Sequence, residues 1–544
     1  MTQKQSPVYL GIDIGTQSVR VGAFDHGGEL LAYQAESITT FKNDQGHLSQ
    51  SSTEIWQQFK KALAAIMDNG QIDADSIVSI GISATCSLVI YCNQANKLLG
   101  EQDIILWQCH RAKEQAQQIN QLDVSVLKQL GGTISPEHEL PKLMWLKQKR
   151  ATVFAEASYF FDLADWMSFK LTGLNIRSIC TTACKWGFNS HDRRWDDQFF
   201  YQVGLNELVD ENYQRIGPVD HIISVGSKVG HLSAETAKAL RLHQQTVVAA
   251  GMVDAHAGAV GVLGINISSE KTDAIDISEK LALIAGTSSC HMALSHQPHF
   301  VPGVWGPFPD VVLPNMSLTE GGISASGDLL HKIIHEHRAA RGISEQVIHQ
   351  QLAQTIDQLQ QEMSLQWPEY LCQHLDVLPF FHGNRSPYAD PNLRGSIVGL
   401  TMEGGLTELA KLYYATILAL AYNDKAIIDA MNQYGHHIKA IIVTGGMAKN
   451  PLMLQASANA IGLPIILPQQ PESVLLGCAM LARVAKTGEN HRQVMAAMSQ
   501  VKEVIMPSDD PSLSAFHQLK YQIFLRLKAQ QDEIRLMWKQ SSLG

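Results

Sequence analysis

The sequence has few cysteines and sets none of them in pairs. Eight are scattered over 544 residues, at Cys86, Cys92, Cys109, Cys180, Cys184, Cys290, Cys372 and Cys478, with no CxxC spacing. That excludes a dense disulfide framework, and the thiols read as small buried hydrophobes. The first residues, MTQKQSPVYLGIDIG, hold no apolar run long enough for a signal peptide, so a cytoplasmic protein is expected. The longest candidate for a membrane span, Thr246 to Gly264, is interrupted by Asp254, His256 and glycines. It reads better as a buried strand, a polar turn and a close-packed helix. Charge is sparse too, at 17% of residues, and Lys plus Arg (42) is outnumbered by Asp plus Glu (52), leaving -10. No whole-molecule field is present to hold a polyanion, so neither nucleic acid nor membrane is an expected partner. What remains is a globular chain with 45% hydrophobic residues, too long for one core and therefore expected to form two domains.

The chain echoes itself once at large scale. YLGIDIGTQSVRVGAFD reads as an apolar strand, a polar glycine turn and a second strand, and KLALIAGTSSCHMALS repeats that plan. Both turns carry G-T-x-S, as Gly15-Thr16-Gln17-Ser18 and Gly286-Thr287-Ser288-Ser289. Two domains of related build, each opening on a hairpin, are expected over 1–266 and 267–544, with the boundary in the polar, aperiodic stretch from Ile265 to Lys280. Between the hairpins, strand-like SIVSIGISATCSLVIYC and helix-like STEIWQQFKKALAAIM alternate, which makes the class α/β. A long buried helix is expected from LTELAKLYY to NQYG, then a strand, a glycine turn and a helix in HIKAIIVTGGMAKNPLMLQASANAIG. The C-terminal FHQLKYQIFLRLKAQQDEIRLMWK reads as an amphipathic helix on the protein's own surface.

The first hairpin turn carries the sharpest chemistry. Gly11 and Gly15 let backbone amides approach a ligand, Thr16 and Ser18 add hydroxyls, and Asp13 adds a carboxylate. This set suits a polyphosphate with Mg²⁺, although an ordinary tight turn would look the same in one copy. Other phosphate signatures are missing: there is no GxxxxGK[ST], and no GxGxxG follows a strand. Ser324 lacks the following glycine of a nucleophile elbow, and no HExxH occurs. Asp254 lies in GMVDAHAGAVG, an apolar and glycine-rich setting that suits a general base for a hydroxyl; the plain alternative is a helix N-cap.

Together these motifs resemble the FGGY carbohydrate kinase family, from Tyr9 to about Ala485. The matching segments are GIDIGTQSVRVGAFD, HELPKLMWL, GMVDAHAGAVG, AGTSSCHMALS, RSPYADPNLRGSIVGLT and VTGGMAKNPLMLQASANAIGLPI. Within it, ATCSLV, FVPGVWGPF, EGGISASG, HGNRSPYADP and ESVLLG look most like the D-ribulose and ribitol kinase branch. The resemblance implies two RNase H-like domains, of the actin and hexokinase type, with ATP and a sugar in the cleft between them. By the same resemblance Asp13 would contact Mg²⁺, with Gly15 and Thr16 at the phosphates, and Gly286 and Thr287 would hold the γ-phosphate. Gly445, Gly446 and Asn450 would line the adenosine site. Asp254 would be the catalytic base, while Ala84, Lys185 and Glu320 would face the sugar with Trp107 and Arg111 nearby. D-ribulose is the expected substrate, ahead of ribitol, L-ribulose, D-xylulose and glycerol. Two positions depart from that branch: Cys109 stands where pentulose kinases often have aspartate, and Ser83 where aspartate is expected. A sugar or nucleotide sensor on the same fold, or a chaperone-like ATPase, would lack the need for Asp254. A homodimer is the common default.

Overall fold

The computed structural model describes residues 6–93, 102–267 and 275–541. The expected domain boundary, over 265–280, falls partly on residues 268–274, outside the described residues.

Two sheets organise the chain. The first contains β1 (Val8–Ile14), β2 (Ser18–Phe24), β3 (Leu30–Ser37), β4 (Ile77–Ala84), β5 (Lys228–His231), β6 (Val247–Ala249) and β7 (Met252–Val253). Its order is β5-β6-β4-β1-β2-β3, with β7 also pairing β4. The second contains β8 (Lys280–Ala285), β9 (Ser289–Ser295), β10 (Trp305–Pro309), β11 (Ser317–Ile323), β12 (Ala440–Thr444), β13 (Ile465–Pro468) and β14 (Val501–Ile505). Its order is β10-β11-β9-β8-β12-β13-β14. Apart from β7 in the first and the added edge strand β10 in the second, the sheets match strand for strand. In each, an antiparallel meander of three strands is followed outward by two parallel strands and one antiparallel edge. β1 is buried along its whole length, as its unbroken VYLGIDI requires of a strand covered on both faces.

The helices follow their apolar spacing. α1 (Ser52–Asp68) buries Ile55, Phe59, Ala62, Leu63 and Ile66, and the Ser51 hydroxyl accepts from the Glu54 amide at its start. After it come α2 (Glu139–Lys149), α3 (Ile179–Trp186), α4 (Asp254–Leu263), α5 (Gly327–Glu336), α6 (Gly405–Gln433), α7 (Pro451–Ile461), α8 (Ser473–Thr487) and α9 (Pro511–Gln540). α6 is the long buried helix expected from its apolar middle. α9 packs on the protein through Leu513, His517, Lys520 and Phe524, whereas Ile534, Met537 and Trp538 farther along are exposed. The second half still lies on the protein's surface, with Gln531 accepting from the Arg394 amide and Arg535 paired with Asp390.

The two halves exchange helices. α8 follows the second sheet in the chain, yet it packs on β1 and β4 of the first; α4 packs on β8 and crosses α8. Glycine makes the crossing possible. A β-carbon on Gly477 would fall 1.9 Å from the Ala257 carbonyl oxygen, and one on Gly261 would fall 2.1 Å from that of Ser473. The sheet is cleared in the same way by Gly11 and Gly81, which face the backbone of α8. Alanine ordinarily favours a helix over glycine by about 1 kcal/mol. At this crossing the sign is expected to reverse: Gly477→Ala should destabilise the protein by about 1–3 kcal/mol through overpacking. Chemical denaturation measures it, and a variant as stable as the parent would show that the helices do not meet this closely.

Candidate active site

The first hairpin turn is closed by the Gly15 amide, which donates to the Ser18 carbonyl at 3.0 Å. Thr16 is held from two sides: Trp107 Nε1 donates to its hydroxyl at 3.0 Å and Gln50 Nε2 to its carbonyl at 2.8 Å. Asp13, near the end of β1, is buried. It accepts from the Ser83 hydroxyl at 3.0 Å and faces Arg20 Nη1 at 3.3 Å. Burial pushes its carboxyl up, against the pull of Arg20 and Ser83, and the charge of Glu472 pushes the same way.

The second hairpin repeats the sequence but not the register. Ile14 pairs with Val19 across the first turn, whereas Ala285 pairs with Ser289 across the second, which is one residue tighter. Gly286 donates to the Ser288 carbonyl at 2.9 Å and leaves Thr287 exposed. The start of α5 is seated on this turn, with Ser326 N donating to Thr287 O at 2.9 Å and Gly327 N to Gly286 O at 3.0 Å. Gly445, in the turn after β12, has φ +94° and lies so close that a β-carbon would sit 2.5 Å from Ala285 O. A β-carbon on Gly446 would meet open space. Asn450 caps α7, accepting from Met453 N at 3.3 Å, and its Nδ2 donates to Tyr413 Oη at 2.8 Å.

Ala84 ends β4 between Ile14 of β1 and Val253 of β7. That register brings the first turn and Asp254 to the same end of the sheet. Asp254 is the first residue of α4; Val253 holds the cap position, so the aspartate is not the N-cap. Its carboxylate accepts from the Ala255 amide at 2.7 Å. Burial, and then the charge of Asp13, raise its pKa to about 7, with the Ala255 hydrogen bond opposing. Asp13 thus sits within electrostatic reach of both Asp254 and Glu472, the residue that precedes α8.

Lys185, at the end of α3, and Glu320, on β11, come together from the two halves of the chain, and both are buried. Glu320 is already partnered: Arg385 Nη2 lies 2.5 Å from Oε1, and His256 Nε2 lies 3.0 Å from Oε2. Burial would raise the Glu320 carboxyl, but Arg385, His256 and Lys185 outweigh it and hold it well below the usual range. His256 extends the chain of contacts to Cys180 Sγ, 3.2 Å from Nδ1. Burial would lower its pKa, yet Cys180 and Glu320 raise it to about 10, so it stands as imidazolium beside the carboxylate. Trp305 is flanked by Arg385, 4.0 Å from its ring centre, and by Lys185 at 4.6 Å.

Trp107 and Arg111 are placed differently from these. Trp107 spends its indole N–H on Thr16. Arg111 donates from Nε to Cys109 Sγ at 3.0 Å and from Nη2 to Leu48 O at 2.8 Å and Ser49 Oγ at 3.0 Å. Cys109 therefore has a clear local role as the acceptor that steadies Arg111. Sequence reasoning singled out neither His256, Arg385 nor Trp305 for this cluster; the one available signal was that all three stand inside the segments that carry the family resemblance.

Residues 8–261 match the FGGY family of carbohydrate kinases, N-terminal domain, and residues 281–486 match its C-terminal domain. An FGGY carbohydrate kinase domain-containing protein of Danio rerio is 39% identical over 96% of this chain and 98% of its own length. A D-ribulokinase of Saccharomyces cerevisiae is 33% identical over 88% of this chain and 72% of its own. Among solved structures, the xylulose kinase of Rhodospirillum rubrum superposes with a TM-score of 0.81 at 18% identity, covering 97% of this chain and 99% of that one. That likeness establishes the fold: α/β, of the two-domain sugar-kinase kind.

Glu320 is the anion on which the buried His256 and the half-buried Arg385 depend. Glu320→Gln should cost about 3–5 kcal/mol, because Arg385 and His256 lose their counter-charge together. A calorimetric unfolding comparison measures this; a loss below about 1 kcal/mol would place the pair in effectively aqueous surroundings.

Proposed function

This chain belongs to the FGGY family of carbohydrate kinases, and on that premise we propose that it transfers the γ-phosphoryl group of ATP to a pentulose, D-ribulose first. The observation that carries the reading is the placement of Asp254: a half-buried carboxylate at the start of a helix, next to the Asp13 hairpin and raised to about 7. A base so tuned takes the proton from a sugar hydroxyl at neutral pH more readily than an ordinary surface carboxylate. The choice of D-ribulose rests on the 33% identical D-ribulokinase of Saccharomyces cerevisiae.

The roles follow from position. The exposed Thr287, with Gly286, would hold the γ-phosphate, and Gly15 and Thr16 would meet the phosphates from the first half. Gly445 and Gly446 would leave room for the adenosine, with Asn450 at its edge. Asp13 and its neighbours offer only oxygen ligands under mutual repulsion, a donor set that fits Mg²⁺. The ion, held by Asp13, would supply charge neutralisation to the phosphates. Ala84, Lys185 and Glu320 would face the sugar, Lys185 donating to a carbonyl or hydroxyl oxygen and Glu320 accepting from hydroxyls with the oxygen capacity its cations leave free. Trp107 and Arg111 would act from behind, Trp107 through Thr16 and Arg111 through Leu48 and Ser49. Bringing hydroxyl and phosphate into line between the two halves, with water excluded, is the main catalytic requirement.

The test is ATP consumption with Mg²⁺ against D-ribulose, L-ribulose, D-xylulose, ribitol, glycerol and hexoses. D-ribulose should be preferred. A strong signal with another sugar would move the substrate and keep the mechanism; silence with ATP still bound would favour a sensor. Asp254→Asn should lower turnover by about 10²–10⁴-fold or more while ATP affinity stays within a few fold. Near-normal turnover in that variant would remove the base.

A further inference from the structure

His138 stands at the entrance to α2, in the cap position, but its side chain does not cap the helix. It is 1% exposed, and neither ring nitrogen has a hydrogen-bond partner among the described residues. The Ser135 carbonyl accepts from the backbone amide of His138 at 3.1 Å and lies near the ring without reaching hydrogen-bond geometry. Native proteins rarely leave a buried imidazole in this state, since both nitrogens then carry their full desolvation cost.

The surroundings of the ring say what would satisfy it. Its nearest ring neighbour is Trp305, edge-on at 5.0 Å between centroids. Trp305 pairs across β10 and β11 with Glu320. The indole is flanked by Lys185 and Arg385, and Arg385 Nε also lacks a partner among the described residues. The contacts therefore run without a break from His256 on α4, two residues after Asp254, through Glu320 on β11, to Arg385, Trp305 and His138. Burial, then Lys185 and Lys142, hold the imidazole well below its ordinary pKa, with the Ser135 carbonyl opposing, so it is neutral. A neutral imidazole presents one donor and one acceptor. Its cationic neighbours can only donate, so none of them can accept its N–H, and a single partner for either nitrogen must be able both to give and to take a proton. A carbonyl or carboxylate can serve only the N–H; a hydroxyl can serve either nitrogen.

We propose that His138, backed by Trp305, forms a subsite that binds one hydroxyl of the sugar, next to the hydroxyls held by Glu320. The inference rests on the kinase reading above and adds to it the residue that selects a substituent away from the phosphorylated oxygen. His138 is a specificity-determining residue, and it takes no part in moving the transferred phosphoryl group.

The experiment uses the full chain with D-ribulose and a set of deoxy-pentuloses, each lacking one hydroxyl. His138→Phe keeps the ring and removes both nitrogens; His138→Gln restores a donor and an acceptor. His138→Phe should raise the sugar KM about 10- to 100-fold with the ATP KM unchanged. Against one deoxy analogue, and only that one, the parent's preference for D-ribulose should collapse in His138→Phe and return in part in His138→Gln. Melting temperature and ATP affinity, measured on both variants, show that the fold is intact. An active parent whose analogue profile is unchanged in His138→Phe would overturn the subsite and assign the two nitrogens to ordered water. A parent inactive on every sugar would overturn the kinase reading, and the subsite with it. If His138→Phe does not fold, the same profile read from His138→Gln decides, because a lost hydroxyl contact shifts one analogue alone.

Discussion

The crossing of α4 with α8 is the contact on which the rest of the molecule depends. Ordinary side chains hold packed helices 8–10 Å apart. Here Gly261 and Gly477 remove the side chains at the point of contact, and Gly11 and Gly81 let α8 settle on β1 and β4. The closeness has a positional consequence. α4 begins with Asp254 and α8 begins after Glu472, so the two helix starts lie at the ends of the central strands, beside both hairpin turns. The Ser473 hydroxyl, 2.9 Å from that of Thr444 at the end of β12, ties the second of these starts to its sheet. Helix N-termini favour negative charge, and the carboxyl ends of parallel strands are where α/β proteins bind ligands. Packing density thus decides where the carboxylates stand.

The two halves share a plan and differ in the details that matter to chemistry. Their sheets correspond in order and direction, but the turns are built to different registers. The first turn is braced by Trp107 and Gln50 and backed by the buried Asp13; the second is tighter, bears no such carboxylate and carries α5 on its carbonyls. A near-symmetric frame presents one acidic and one amide-rich wall. The sugar-side cluster then joins the halves a second time: His256 of the first half reaches Glu320 of the second, and Lys185 stands beside both Glu320 and the Trp305 ring.

Much of this was legible because it is local. The hairpin of YLGIDIGTQSVRVGAFD needs only apolar alternation and a glycine turn, and α1 needs only its spacing and Ser51. Asp254 stood out because a carboxylate amid alanine and glycine is costly unless used. Its exact helical position did not, since N-cap and first-turn residues are one peptide apart. The registers of the two turns were equally hidden behind one shared pattern. What the residues could not disclose is long-range: that α8 belongs to the far sheet, that Arg385 and His256 clasp one carboxylate, and that Arg111 turns to Cys109, Leu48 and Ser49. No spacing encodes a contact across 65 residues or more, which is the separation between Glu320 and Arg385.

The exchange of helices also bears on how far the polypeptide can be divided. The linear boundary near residue 266 suggests two modules that could be cut apart and handled singly. The three-dimensional boundary lies elsewhere, because the floor of the first sheet is supplied by a segment more than two hundred positions farther along the chain. A fragment ending at that boundary would expose a glycine-lined, apolar trough where α8 should lie, and the remaining fragment would carry an orphan helix with no sheet to cover. Synthesis therefore cannot complete the first half before α8, at Ser473–Thr487, has emerged.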